Sequence, residues 1–220
     1  MEDFRKLKKL KPTLAWSNRS LHKELKTKGF IYLTKQGEVN LDRLIKALGT
    51  VILSTDVKAS KKSRSLVNSF DSLSLHTDHH KARYIVWYCY ENSISGGESI
   101  LLDGMRIFNT LSKGCQEELK EIQLMEHKVF PDDHESHPII QESDNGDFAL
   151  YYSLWMTNPE DRNIIGFLNF KQKIETSQPI SLKLKKDEIL IIDNQRMLHG
   201  RTEIGANERR YLKRFWIANK

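Results

Sequence analysis

Cysteine is nearly absent from this chain: Cys89 and Cys115 are the only two in 220 residues, and neither sits in a CxxC or Cys/His spacing. That excludes a disulfide-stapled scaffold and a zinc finger, and it fits reduced thiols in a cytoplasmic protein. No apolar run approaches the roughly 18 residues that a membrane-spanning helix needs, so no membrane partner is expected. The opening residues Met1-Glu2-Asp3-Phe4-Arg5-Lys6 are charged where a secretory leader would turn apolar. Internal repeats, low-complexity linkers, GxGxxG turns and Walker-type loops are also missing, so nothing signals a doubly wound nucleotide-binding sheet.

Basic residues outnumber acidic ones, 35 to 29, for a net charge of +6. They cluster at Lys6 to Lys11, Lys58 to Arg64 and Arg209 to Arg214. The first two clusters lack the interleaved aromatics on which a single-strand binder stacks bases. The charge therefore points to anionic small molecules at least as readily as to nucleic acid. A chain of 220 residues suits one domain, 1–220, with helices within about the first 50 residues.

Ser17, Leu21, Leu25 and Gly29 predict a short capped amphipathic helix, followed by a strand at Phe30 to Leu33. Asn40 caps a second helix through Leu41, Leu44, Ile45 and Leu48 that stops at Gly49, and Val51 to Leu53 is extended. Short strands are then predicted over 73–78, 84–90, 99–102, 128–130, 148–153, 180–184, 189–192 and 209–217. Between them, Asp103 caps a helical segment to Leu111, and another runs from Lys113 to Met125. Many short strands with helices mostly in front predict a mainly β chain with flanking helices (α+β), built as a sandwich or jelly roll.

The chemistry-bearing residues lie on those strands. His76 and Asp78, at i and i+2 of an extended segment, point to one face. With a distal His199 they make a two-histidine, one-carboxylate set, which leaves three positions of an octahedral ion open on one side. That arrangement suits non-haem Fe(II) oxygenases: two positions hold a chelating 2-oxo acid and the third holds dioxygen. The far carboxylate of such an acid needs an interior cation, and Arg210 offers a bidentate fork. Arg210, Leu212, Arg214 and Trp216 share one face of the last strand; if that face is interior, two buried cations imply buried anions. On an edge strand the same arginines would reach solvent or pair with Glu203 and Glu208.

Other residues read more plainly. His80 is in phase with His76 and Asp78, but same-face positions about 6.8 Å apart do not easily close three in a row on one ion. His79 faces out or lines the cleft. Cys89 is a core thiol, His127, His134 and His137 belong to a solvent loop, and Tyr151, Tyr152 and Trp155 are core or cleft wall. Arg201 braces the turn that carries His199.

Four stretches together, Leu75-His76-Thr77-Asp78, Gly96-Gly97-Glu98-Ser99, Asp193 to Arg201 (DNQRMLHGR) and Arg209 to Arg214 (RRYLKR), resemble the TauD/TfdA-like Fe(II)/2-oxoglutarate dioxygenases of the clavaminate-synthase-like superfamily. Gly29-Phe30-Ile31 and Leu48-Gly49-Thr50 resemble the opening elements of that family. The resemblance implies a double-stranded β-helix fold. It implies His76, Asp78 and His199 as catalytic iron ligands, and Arg210 as the 2-oxoglutarate clamp. Ser99 stands where the family often places a threonine hydroxyl on the same carboxylate, and Arg214 matches a position that in some members holds an acidic group of the substrate. His79-His80-Lys81 departs from the proline-containing segment of many relatives. Asp78 argues against a halogenating relative, which vacates that ligand.

The resemblance thus implies an enzyme using Fe(2+), 2-oxoglutarate and O2 to oxidise a small, acid-bearing, anionic or zwitterionic molecule such as an amino acid. Hydroxylation is the default outcome; desaturation and ring closure use the same chemistry. The alternatives are the same chemistry on a nucleic-acid or carrier-bound substrate, and a non-catalytic jelly-roll binding module.

Overall fold

A computed structural model of the chain describes residues 18–34, 40–61, 63, 65–125, 128–143, 146–205 and 208–219. Ser17, the cluster Lys6 to Lys11 and His127 lie outside the described residues. Helix α1 (Asn18–Lys28) ends at Gly29, whose φ of +79° turns the chain directly into β1 (Phe30–Leu33). Asn40 caps α2 (Leu41–Leu48) as predicted, its side chain accepting from the Arg43 N–H at 2.9 Å. Strands β2 (Thr50–Lys58), β3 (Leu73–His76), β4 (Tyr84–Glu91) and β5 (Ser99–Asp103) follow. Asp103 then caps α3 (Gly104–Phe108), and Ser112 caps α4 (Lys113–Glu121). Two ribbons come next, β6 (Gln123–Leu124) with β7 (His137–Pro138), and β8 (Ile140–Glu142) with β9 (Phe148–Leu150). Helix α5 (Ile165–Thr176) leads into β10 (Ile180–Leu182), β11 (Ile189–Asp193), β12 (Met197–Arg201) and β13 (Tyr211–Ala218).

The strands form a five-stranded sheet, β1-β11-β4-β13-β2, and a four-stranded sheet, β10-β5-β12-β3, with antiparallel pairing throughout. This is the jelly-roll architecture read from the strand pattern. Period-2 alternation divides the large sheet cleanly. On β4 and β11, Tyr84, Val86, Ile189 and Ile191 pack under α1 and α2, while Ile85, Cys89, Leu190 and Ile192 face the interior with Leu101 and Met197. On β13, Leu212 and Trp216 point inward and Phe215 and Ile217 outward, so Arg214 is on the interior side. β13 lies between β4 and β2 and is not an edge strand.

Four predictions about elements need correction. Residues 128–130 form no strand, and the predicted extended run at 51–53 continues to Lys58. Helix α5 was not foreseen. It starts without a side-chain cap, and its buried face, Gly166, Phe167, Phe170 and Ile174, packs against α4, where a Cβ on Gly166 would meet the Cys115 carbonyl at 2.7 Å. Strand β3 ends at His76, leaving Asp78 in a loop. Its pairing with β12 also shifts: His199 lies opposite His76 and Arg201 opposite Leu73, so β3 carries one extra residue. A bulge of this kind re-aims side chains, and here it places Leu73 and His76, three residues apart, on the same cavity.

The glycine pair before β5 is set by backbone geometry. Gly96 has φ +66° and a bridge to Ile204, and a Cβ there would lie 1.9 Å from the Glu203 carbonyl oxygen. Gly96→Ala is expected to destabilise the fold by about 1–3 kcal/mol, the usual cost of a strained backbone position. Urea denaturation of the two proteins checks this.

Candidate active site

His76 and His199 face each other across the β3–β12 pairing, with ring centroids 4.4 Å apart. His76 Nδ1 donates to the Ser74 carbonyl at 2.8 Å, so Nε2 keeps its lone pair for the cavity. Asp78, although off the strand, brings its carboxylate to the same point: Oδ1 is 3.9 Å from His76 Nε2 and Oδ2 is 3.7 Å from His199 Nε2. Potential ligand atoms of the three buried residues all lie within 4.8 Å of one another. Thr77 anchors the loop outside the cavity, as its N–H donates to the Tyr152 carbonyl at 2.8 Å and its hydroxyl accepts from the Tyr152 N–H at 2.9 Å.

The protonation states suit a metal. Burial pushes His199 down to about 3, with His76 adding to the effect, so its imidazole is neutral. For Asp78, burial acts to raise the pKa, but Arg214, His199, His76 and the Trp216 N–H together hold it below the usual carboxylate range. Two imidazole nitrogens and one ionised carboxylate on one side of a point fit a divalent ion with open positions.

The same cavity is lined by Ser99, Trp87, Arg210 and Arg214. Arg210 is 7% exposed, and among the described residues its side chain makes no hydrogen bond or ion pair; Nε is buried and unpartnered. Burial and the neighbouring Arg201 lower its pKa to about 9. A buried guanidinium left this way costs several kcal/mol unless an anion meets it, so the site fits the far carboxylate of a 2-oxo diacid. Arg201 is different. It donates to the carbonyls of Val67 (3.0 Å), Ser69 (2.8 Å) and Asp71 (2.5 Å), bracing the segment that enters β3 rather than the turn that carries His199. Arg214 bonds both Asp78 oxygens through Nη1 at 3.1 Å, and Trp216 Nε1 donates to Oδ2 at 2.8 Å. Arg214 Nη2 makes no bond among the described residues.

The second histidine group corrects the sequence reading. His137 is not on a solvent loop: it is partly buried and stacks on His80 at 3.4 Å. His79 is 1% exposed, so it does not face out, and it is not among the residues that line the cavity. Asp133, which sequence reasoning missed, accepts from His80 Nε2 at 2.7 Å and lies 3.2 Å from His79 Nε2 and 3.1 Å from Lys81 Nζ. No motif links these residues; only the fold brings the 128–138 segment beside 79–81. Trp155, read as core or cleft wall, is not core: it is 40% exposed, with its ring 4.9 Å from that of His76. Cys89 is fully buried, a core thiol.

Among solved structures, an asparagine oxygenase in complex with Fe(II), 3-hydroxyasparagine and succinate superposes with a TM-score of 0.73 at 17% identity, covering 91% of this chain and 78% of that one. A putative α-ketoglutarate-dependent taurine dioxygenase from Burkholderia xenovorans gives 0.71 at 14% identity, covering 96% and 86%. The non-haem iron oxygenase OrfP with Fe and α-ketoglutaric acid gives 0.66 at 17%, covering 92% and 79%. No functionally curated protein matches the sequence. The sequence profile described as "Taurine catabolism dioxygenase TauD, TfdA family" matches residues 5–216, nearly the whole chain, and the protein therefore belongs to the TauD/TfdA dioxygenase family.

Proposed function

We propose that the protein is an Fe(II)- and 2-oxoglutarate-dependent dioxygenase that hydroxylates a small amino-acid-like molecule bearing an acid group, with residues 1–220 acting as one catalytic domain. The observation that carries this reading is Arg210, a buried cation without a hydrogen-bond or ion-pair partner among the described residues, in the cavity that also holds His76 and His199. When bound, iron and 2-oxoglutarate activate O2: the oxo acid leaves as succinate and CO2, one oxygen atom enters succinate, and the other enters a substrate C–H bond.

The chain supplies placement. His76, Asp78 and His199 hold the ion, and Arg210 with Ser99 holds the distal carboxylate of the cosubstrate. Arg214 offers its unengaged Nη2 to the acid group of the substrate while Nη1 stays on Asp78. Trp155 walls the mouth beside His76, and Trp87, with its ring 5.1 Å from that of His199, helps exclude water inside. An amino-acid-like substrate is supported by the neighbours, one an asparagine oxygenase and another bound to (3S)-hydroxy-L-Arg. Lys58 of the second basic cluster sits over Tyr211 at 4.3 Å and 3.7 Å from Asp56, engagements that favour a surface role over tracking phosphates. Two buried free thiols support a cytoplasmic setting. No helix among the described residues is long and apolar enough to cross a membrane.

Two outcomes are expected. Arg210→Met should weaken 2-oxoglutarate binding about 30-fold or more, the cost of removing one partner of a buried charge pair. Without 2-oxoglutarate it should leave the melting temperature unchanged or higher, because an unpaired buried cation is gone; scanning fluorimetry with and without 2-oxoglutarate reads both. Separately, Fe(II), 2-oxoglutarate and a panel of amino acids should release succinate above background for at least one member. His199→Ala should abolish that release, and Arg214→Gln should raise KM about tenfold or more, the scale of one lost charged contact. Stimulation only by compounds lacking an acid group would remove the proposed substrate class.

A further inference from the structure

Asp78 lies past the end of β3, in a loop, so the strand does not aim its carboxylate. A single side chain holds both ends of the residue. Asn194 Oδ1 accepts from the Asp78 N–H at 2.8 Å, and Asn194 Nδ2 donates to the carbonyls of Asp78 (3.4 Å), His79 (3.3 Å) and Ala82 (2.9 Å). Asn194 is 1% exposed, and its own N–H donates to the Arg83 carbonyl at 2.9 Å. It sits on the turn from β11 to β12, five positions before His199. The turn that delivers one histidine thus also templates the loop that delivers the carboxylate.

We propose that Asn194 is the positioning residue of the metal site: its amide fixes the Asp78 peptide units, and through them the direction of the carboxylate, relative to His199. The proposal rests on the reading of Asp78 as a metal ligand. Chemistry explains why asparagine is needed. One planar group must accept from an N–H on one side and donate to carbonyls on the other. Aspartate keeps the acceptor but turns a second oxygen toward three carbonyl oxygens, and alanine keeps neither function. The adjacent Gln195 is the natural control, since it also grips this loop, accepting from Arg83 Nη1 at 2.6 Å and donating to the His80 carbonyl at 3.3 Å, but it touches neither end of Asp78.

The test is Co(II) affinity, read from visible absorption of the full chain well below each variant's melting temperature. Partners of metal ligands are worth about 10–100-fold in metal affinity, so Asn194→Ala and Asn194→Asp should each weaken Co(II) binding tenfold or more. Gln195→Ala should weaken it less than either, even where its melting temperature falls as far. Asp78→Ala should show the largest loss. A loss below tenfold for both Asn194 variants, or a Gln195→Ala loss equal to theirs, overturns the positioning role while Asp78→Ala still loses the ion. Wild-type affinity in Asp78→Ala overturns the ligand reading itself, and the proposal with it. Asn194→Asp preserves shape and carries the test if Asn194→Ala does not fold.

Discussion

A carboxylate buried to 5% exposure stays ionised only if cations and donors surround it, and the interior of this protein is arranged around that condition at Asp78. Its partners come from both sheets. β13 of the five-stranded sheet sends Arg214 and Trp216, while β3 and β12 of the four-stranded sheet send His76 and His199. Around it the interior carries an apolar cluster that includes Leu101, Leu190, Ile192 and Leu212. One negative charge therefore joins the two layers at the candidate metal site, and the position of each partner is tied to strand pairing rather than to loop conformation.

Arg210, four positions before Arg214 in the chain, shows the opposite condition. Asp78 is satisfied by the protein; Arg210 has no partner among the described residues, and Arg201 close by adds like charge without supplying an acceptor. The fold tolerates this because β13 is pinned on both sides, to β4 and β2, over most of its length. Stability drawn from that ladder offsets the cost of the buried charge, whose partner under the proposed function is the far carboxylate of the cosubstrate. Binding the diacid then adds stability in proportion to its affinity, which is the usual thermodynamic link between ligand and fold.

Much of this was legible in the chain because it follows short periods. Alternation along Tyr84 to Cys89, Ile189 to Ile192 and Leu212 to Trp216 shows which side chains face inward, and Asn40 and Asp103 mark helix starts. His76, Asp78, His199 and Arg210 were found because each stands in a motif. What escaped depends on long-range packing. The extra residue in β3 appears only when β12 is laid beside it, and α5 is held by α4 rather than by a cap. Asp133 meets His80 across 53 positions, and Asn194 meets Asp78 across 116. No local pattern encodes separations of that size.

Two histidine-carboxylate sets lie within a few residues of each other, and proximity alone would qualify either for a metal. The far nitrogens of His76 and His79 separate them. His76 Nδ1 gives its proton to the Ser74 carbonyl, an acceptor only, so Nε2 presents a lone pair beside Asp78. His79 Nδ1 accepts the Lys81 N–H at 3.1 Å, so its proton is on Nε2, which lies 3.2 Å from Asp133 Oδ2. His80 Nε2 likewise donates to Asp133, at 2.7 Å, and its ring is stacked on that of His137. Asp133 is accordingly the acceptor of a hydrogen-bonded cluster that ties the 128–138 segment to the loop after Asp78. Three positions apart in the chain, His76 and His79 take opposite tautomers, and backbone partners two residues away decide which one is left with a lone pair to offer a metal.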